Sequence, residues 1–260
     1  IELLNPITDN LSIMRTVMAP SMINVIADNV KTDHSEGRFF ELANIYLPKA
    51  LPLTEPPEER KILCMGAFGA GESFFTVKES LEAFAVANGL SFRFERGEVS
   101  YLHPGITADI YCGGEKIGHL GKLRYEVVEK LNIAEGKKTD LNVIIAEINY
   151  SLLERLFKKE IKYRSESGYA SVRRDLSLTV DKKTDCAAVM DAISAADKRV
   201  SSVKFIDIYE SEKLGLGKKS LTFTLTLSDS SADVTDVAAD EAMAAIVESV
   251  EKTIGAKMRA

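Results

Sequence analysis

Leu221, Phe223, Leu225 and Leu227 alternate without a break with Thr222, Thr224 and Thr226. Successive side chains of a strand point to opposite sides of its sheet, so this strand has one wholly apolar face and one hydroxyl-bearing face. A sheet built on it must be covered on one side and open on the other. Asp175 to Val180 has the same period, with Leu176, Leu178 and Val180 on one side. After it, Thr184 or Asp185 can cap a helix in which Cys186, Val189, Met190 and Ile193 recur at i, i+3, i+4 and i+7. Val203 to Tyr209 reads as a second strand, and Gly215 and Gly217 mark a turn. From Thr235, Met243, Ile246, Val247, Val250 and Ile254 return to helical spacing, with Asp240 and Glu241 toward the favourable end and Gly255 suited to the stop. A short last strand, 256–259, completes a β-α-β-β-α-β order in about 90 residues, the ferredoxin-like plan with helices on one face of an antiparallel sheet.

The preceding residues are mixed. Pro20 fits the first turn of a helix carrying Ile23, Ile26 and Val30, and 39–46 reads as a strand. A helix over about 77–88, strands near 91–95 and 107–112, and a Gly113-Gly114 hairpin leading into Ile117-Gly118-His119-Leu120 follow. Asn142 to Asn149 is a near-continuous apolar strand. These elements predict an α+β domain on a large, mainly antiparallel sheet. The stretch 48–57 holds four of the seven prolines and reads as a loop. A length of 260 residues favours two domains. The charged, Ser- and Gly-bearing stretch near 158–168 places them at 1–157 and 167–260, with a linker over 158–166.

Composition narrows the function. No apolar run approaches the ~18 residues of a membrane span. Cys64, Cys112 and Cys186 stand far apart without a CxxC, and His34, His103 and His119 make no zinc spacing with them. A reducing, cytoplasmic protein without structural metal is expected. The net charge is −6, with −4 through residue 166 and −2 after it, so any contact with nucleic acid must rest on a local cluster.

Three features suggest chemistry. Gly66 to Ser73 resembles a phosphate-cradling loop, but it lacks the Lys-Ser/Thr ending and the GxGxxG spacing, and a turn is the better reading. His103, before Pro104-Gly105, could be a general base, yet no nucleophile with an acidic orienter accompanies it. Arg173-Arg174, Lys218-Lys219 and Lys257 with Arg259 lie on strands that the ferredoxin-like order makes neighbours, so they could converge on phosphates or base edges. The competing reading is a set of solvated charges with Arg174-Asp175 in a local ion-pair network. The aromatic pair and basic-Gly-Phe motif of an RNA-recognition domain are missing, which does not support base stacking of that type.

Ser12-Ile13-Met14-Arg15-Thr16, Pro20, Phe39-Phe40-Glu41-Leu42, His103-Pro104-Gly105 and Ile117-Gly118-His119-Leu120-Gly121 resemble, in order, the catalytic-like module of the bacterial phenylalanyl-tRNA synthetase beta-subunit family. Val172-Arg173-Arg174-Asp175-Leu176, Phe205-Ile206-Asp207-Ile208-Tyr209, Gly217-Lys218-Lys219-Ser220-Leu221 and Gly255-Ala256-Lys257-Met258-Arg259 resemble its ferredoxin-fold anticodon-binding domain. The resemblance implies an inactive class II synthetase fold followed by an anticodon-binding module, together the C-terminal third of a longer subunit. It implies that a catalytic alpha subunit holds ATP and Mg, forms the adenylate and charges phenylalanine tRNA within an (αβ)2 heterotetramer. Where class II catalysis uses Phe-Arg-x-Glu to hold ATP, this chain reads Arg38-Phe39-Phe40-Glu41, and no Gly-rich strand ends in Arg, so no residue is assigned to catalysis. The expected tRNA contacts are Arg173, Arg174, Asp175, Lys218, Lys219, Ser220 and Arg259, and the expected alpha-subunit surface includes Ile13, Met14, Arg15, Val17 and Met22. Two rivals remain: a regulatory protein whose ferredoxin-like domain binds a small ligand such as an amino acid, and a small-molecule enzyme using the Gly66–Ser73 loop and His103.

Overall fold

The computed structural model describes residues 1–130, 141–157, 168–211 and 214–259. The chain divides into two compact units, Ile1–Ile161 and Lys162–Ala260. The linker expected over 158–166 lies outside the described residues.

In the first unit, β1 (Gly37–Leu47), β2 (Glu58–Phe68), β3 (Phe92–Arg96), β4 (Leu102–Cys112), β5 (Glu115–Leu123) and β6 (Val143–Asn149) form one antiparallel sheet in the order β1-β2-β6-β5-β4-β3. Helix α1 (Ala19–Lys31) covers one face, where Ile26, Cys64, Phe68, Val143 and Ile145 form a core. Helices α2 (Phe74–Ala87) and α4 (Tyr150–Leu156) cover the other, with Leu81, Ile110, Leu120, Ile144, Ile148 and Leu153. A short helix α3 (Tyr125–Lys130) follows β5. Because β6 is buried on both faces, its sequence is a near-continuous apolar run, broken by Glu147, and not an alternating one. Each such aliphatic residue stabilises the unit by roughly 1.5–3 kcal/mol relative to exposure. At the predicted hairpin, Gly113 and Gly114 have φ of +60° and +86°, conformations that residues with a Cβ seldom adopt.

One expectation is corrected. Gly66, Ala67 and Phe68 are not part of a loop but end β2, and only the stretch after them turns. Met22 and Ile26 pack directly on Gly66, whose Cβ, if present, would lie 2.6 Å from Met22 Cγ and 2.9 Å from Ile26 Cδ1. The glycine is there for close helix-to-sheet approach.

The second unit contains β7 (Val172–Asp181), α5 (Cys186–Ala196), β8 (Val200–Tyr209), β9 (Lys218–Leu227), α6 (Asp236–Ile254) and β10 (Lys257–Met258). All pairings are antiparallel in the order β10-β7-β9-β8, so the first, third and last strands are neighbours, as expected. Both helices pack on one face, against Leu176, Leu178, Val180, Leu221, Phe223, Leu225 and Leu227. The Thr235 hydroxyl accepts the Ala238 N–H at the start of α6, and Gly255 ends it with φ +66°. Among the described residues, no helix is long and apolar enough to cross a membrane.

Candidate nucleic-acid interface

The strand register of the second unit sorts its residues between two faces. On the face without helices, Arg173, Asp175, Ser177, Thr179 and Asp181 of β7 stand beside Thr226, Thr224, Thr222, Ser220 and Lys218 of β9. Ser202, Lys204, Asp207 and Tyr209 continue these rows on β8, and Lys257 of β10 pairs with Thr179. Arg259, just after β10, donates its backbone N–H to Ser177 O at 2.9 Å. The middle of this face is a hydroxyl platform: Ser177 Oγ lies 2.9 Å from Thr222 Oγ1, and Thr224 Oγ1 donates to Asp175 Oδ1 at 2.6 Å. The Arg259 guanidinium lies over the Tyr209 ring, 4.8 Å from its centre.

The cations expected to form one cluster do not. Arg174 and Lys219 fall on the helix face, because they share the parity of Leu176, Val180 and Leu221. Arg174 NH2 lies 2.7 Å from Asp236 Oδ1 and 3.4 Å from Asp240 Oδ1, at the start of α6, where carboxylates are favoured by the helix dipole. Its ion-pair partners are therefore on α6, and the neighbouring Asp175 is not among them. Arg173 of β7 and Lys218 of β9 share the open face but stand at opposite ends of the β7–β9 ladder, eight positions apart in register, or about 26 Å. Lys218 Nζ is held by Asp181 Oδ1 at 2.7 Å. Of the expected residues, the face without helices thus carries Arg173, Asp175, Arg259, an ion-paired Lys218 and Ser220, whose side chain is buried. Tyr209 and Asp207 join them without having been singled out as site residues; the available signal was their alternation with Ile206 and Ile208 on a strand whose polar side faces no helix.

In the first unit, Ile13 and Val17 are exposed, as are Leu4, Ile7 and Leu11 nearby and Phe40 and Leu42 on β1. Arg15 pins this segment to β1: its Nε donates to Asn44 O at 3.1 Å, its NH1 lies 3.0 Å from Glu41 Oε1, and its carbonyl accepts the Tyr46 N–H at 2.9 Å. Met14 is half-buried. Met22 is a correction, because at 2% exposure it belongs to the core beneath α1 and offers nothing to a partner.

The backbone entering α1 is fixed by a buried carboxylate. Glu147 Oε1 on β6 accepts the N–H groups of Met18 at 2.5 Å and Ala19 at 2.8 Å, which Met18, the capping residue, has no side chain to satisfy. The Tyr101 hydroxyl donates to Glu147 Oε2 at 3.0 Å, and His119 Nε2 lies 2.6 Å from the phenol oxygen and 3.4 Å from the carboxylate. Burial works to raise the Glu147 pKa, but the bonds from His119, Met18 and Tyr101 outweigh it and hold the carboxyl below its ordinary value.

The other candidates for chemistry do not assemble a site. His103 Nδ1 accepts the Gly105 N–H at 3.1 Å within β4, where its pairing with β5 is irregular between Leu102 and Thr107, so the expected turn at Pro104-Gly105 is part of a strand. In the turn after Gly69, Glu72 sits 2.7 Å from Arg38 Nε and accepts Thr76 Oγ1–H at 2.8 Å, so a carboxylate stands where a phosphate would have to lie. Arg38 and Glu41, the residues standing where a class II ATP motif would be, are tied to Glu72 and Arg15. Among the described residues, no group of three or more His, Cys, Asp or Glu side chains is placed to hold a metal ion.

Residues 1–150 match the family described as the phenylalanyl tRNA synthetase beta chain CLM domain, and residues 167–259 match the ferredoxin-fold anticodon binding domain. The phenylalanine--tRNA ligase beta subunit of Carboxydothermus hydrogenoformans is 31% identical over 100% of this chain and 33% of its own length. That of Halalkalibacterium halodurans is 31% identical over 98% of this chain and 32% of its own, and that of Streptococcus mutans 28% over 99% and 33%. The chain spans about a third of the length of the curated relatives it matches. With one family covering more than half of it and such relatives aligned along its whole length, the chain belongs to the phenylalanyl-tRNA synthetase beta-chain family.

Proposed function

We propose that this chain is the non-catalytic C-terminal part of a phenylalanine--tRNA ligase beta subunit. Its first unit packs on the catalytic alpha subunit, and the open face of its second unit contacts the anticodon region of phenylalanine tRNA. The observation that carries the tRNA contact is the pairing of Tyr209 with the hydroxyl platform on a sheet face that no helix covers. A flat aromatic can stack a base of any identity, and hydroxyls and carboxylates beside it can bond the base edge or the ribose. The contacts proposed are Tyr209, Asp207, Asp175, Ser220, Arg173 and Arg259. Arg174 and Lys219 are withdrawn from this set because they lie on the helix face.

For the alpha subunit, the supporting observation is the group of exposed apolar side chains at Ile13, Val17, Phe40 and Leu42 around the segment that Arg15 holds to β1. The holoenzyme is proposed as an (αβ)2 heterotetramer in the cytoplasm, with ATP and Mg held by alpha. No catalytic step is assigned to this chain, whose Arg38 and Glu41 are tied into internal ion pairs.

The test is aminoacylation by the αβ enzyme carrying Tyr209→Ala in the complete beta subunit. Stacking of one base contributes about 1–3 kcal/mol, so the KM for tRNA should rise roughly 5- to 150-fold while adenylate formation is unchanged. An unchanged KM in a folded variant would remove the open face from tRNA binding.

A further inference from the structure

A serine on the helix-free face of a sheet is ordinarily wet. Ser220 is 1% exposed, and its Oγ has no hydrogen-bond partner among the described residues. Something covers it. Across the strands, Ser220 stands between Tyr209 of β8 and Thr179 of β7. Arg259 leaves from β10, at the opposite edge of the sheet from β8. Those edges are three strand spacings apart, about 14 Å. Neither side chain spans that distance alone, yet the guanidinium and the ring are 4.8 Å apart. They therefore meet above β7 and β9, over Thr179 and Ser220.

We propose that Arg259 and Tyr209 form a clasp that closes the open face in the free protein, so that a nucleobase reaches Tyr209 and Ser220 only after the guanidinium has swung off the ring. The proposal rests on the reading of this face as the tRNA-binding surface. In the closed state the guanidinium occupies the ring face on which a base would stack, and the Ser220 hydroxyl is sealed without a partner. Opening exposes three groups together: an aromatic platform, a hydroxyl that can both donate and accept, and a cation suited to a backbone phosphate. The closed state is held by one cation–π contact at an exposed site and is opposed by the unpartnered hydroxyl beneath it, so it is shallow. RNA carrying unpaired bases supplies both a stacking partner and a phosphate, and so binds the open state better.

The experiment follows the Arg259 side chain by NMR in the arginine-labelled 260-residue chain, titrated with a synthetic anticodon stem–loop of phenylalanine tRNA. In the free chain the Arg259 side-chain protons should show an upfield ring-current shift, which disappears as the RNA saturates. Arg259→Lys keeps a cation for the phosphate but loses the planar group that stacks on the ring, so it weakens the clasp and should associate faster, by up to about fivefold, the limit set by one exposed cation–π contact. A ring-current shift that is absent from the free chain, or that persists at saturation, overturns the clasp while leaving RNA binding intact. An association rate for Arg259→Lys no faster than wild type does the same. If the stem–loop does not bind and Tyr209→Ala leaves the KM of the αβ enzyme unchanged, the tRNA reading itself fails, and the clasp fails with it.

Discussion

Replacing Glu147 should loosen the entry to α1 far more than a surface change would. The carboxylate accepts from Met18 N, Ala19 N and Tyr101 Oη, with His119 Nε2 3.4 Å away. Glu147→Leu keeps a side chain of similar volume and leaves two helix N–H groups and a phenol without their acceptor. Each unsatisfied buried donor costs about 1–3 kcal/mol, and relaxation or entering water recovers part of this, so a loss of about 3–5 kcal/mol is expected. In a unit of this size that lowers Tm by roughly 6–20 °C. Glu147→Gln retains an acceptor for the helix but turns an amide N–H toward Tyr101 or His119, so its cost should be intermediate. Urea unfolding followed by circular dichroism measures both, since the chain has no tryptophan. The Glu147 pKa is held below the ordinary 4.5 in the folded state. Its contribution is therefore fully present above pH 4.5 and is lost as pH falls through the lowered native value. Wild type should show this acid-side loss and Glu147→Leu should not. A Glu147→Leu protein within 1 kcal/mol of wild type at pH 7, with the same acid profile, would refute the reasoning.

Three further outcomes are expected. The isolated chain should give no phenylalanine-dependent pyrophosphate exchange above a blank, and a clear signal would contradict the non-catalytic assignment. Ile13→Asp with Val17→Asp should leave circular dichroism unchanged and abolish co-purification with the alpha subunit, whereas Met22→Asp should unfold the first unit, because it buries a charge under α1. Arg174→Ala should cost at most about 1 kcal/mol in stability, since its partners Asp236 and Asp240 are exposed, and should not change the KM for tRNA; a raised KM would return Arg174 to the interface.

The second unit is legible because β7 and β9 each have one face on a core and one face without helices, so period two survives in the sequence from Leu176 to Val180 and from Leu221 to Leu227. In the first unit the sheet is covered on both sides and that signal fades. Strand β2 begins Glu58-Glu59-Arg60-Lys61, four charged residues at a wet end, and finishes Gly66-Ala67-Phe68 under α1, where close packing requires a glycine that reads as a turn. Helices α3 and α4 have only 6 and 7 residues, too few for a 3.6-residue period to repeat. For the candidate site, strand adjacency is readable from the element order, but adjacency alone does not say which face a side chain takes. Arg173 and Arg174 are neighbours in sequence and therefore point to opposite faces, as do Lys218 and Lys219. The same rule identifies Tyr209, whose parity puts it beside Ser220.

Facing also resolves how a unit with an excess of acidic residues can meet RNA. Residues 167–260 carry 13 basic and 15 acidic side chains. On the open face of the four strands, however, Arg173, Lys204, Lys218, Lys257 and Arg259 stand against only Asp175, Asp181 and Asp207. The surplus of carboxylates lies elsewhere, including Asp236, Asp240, Glu241, Glu248 and Glu251 of α6 on the opposite side of the sheet. The net field therefore draws nucleic acid only weakly, but the face proposed to meet it is locally positive. With so few cations free to neutralise phosphates, the salt dependence of binding should be shallow, near −0.7 to −0.9 in log K per phosphate contacted. On the proposed reading, most of the affinity then comes from stacking and hydroxyl contacts at Tyr209 and Ser220 and from the rest of the enzyme holding the tRNA in place. A steep salt slope, corresponding to six or more phosphates for this unit alone, would mean that the face binds as a basic patch and that the aromatic and hydroxyl platform is incidental.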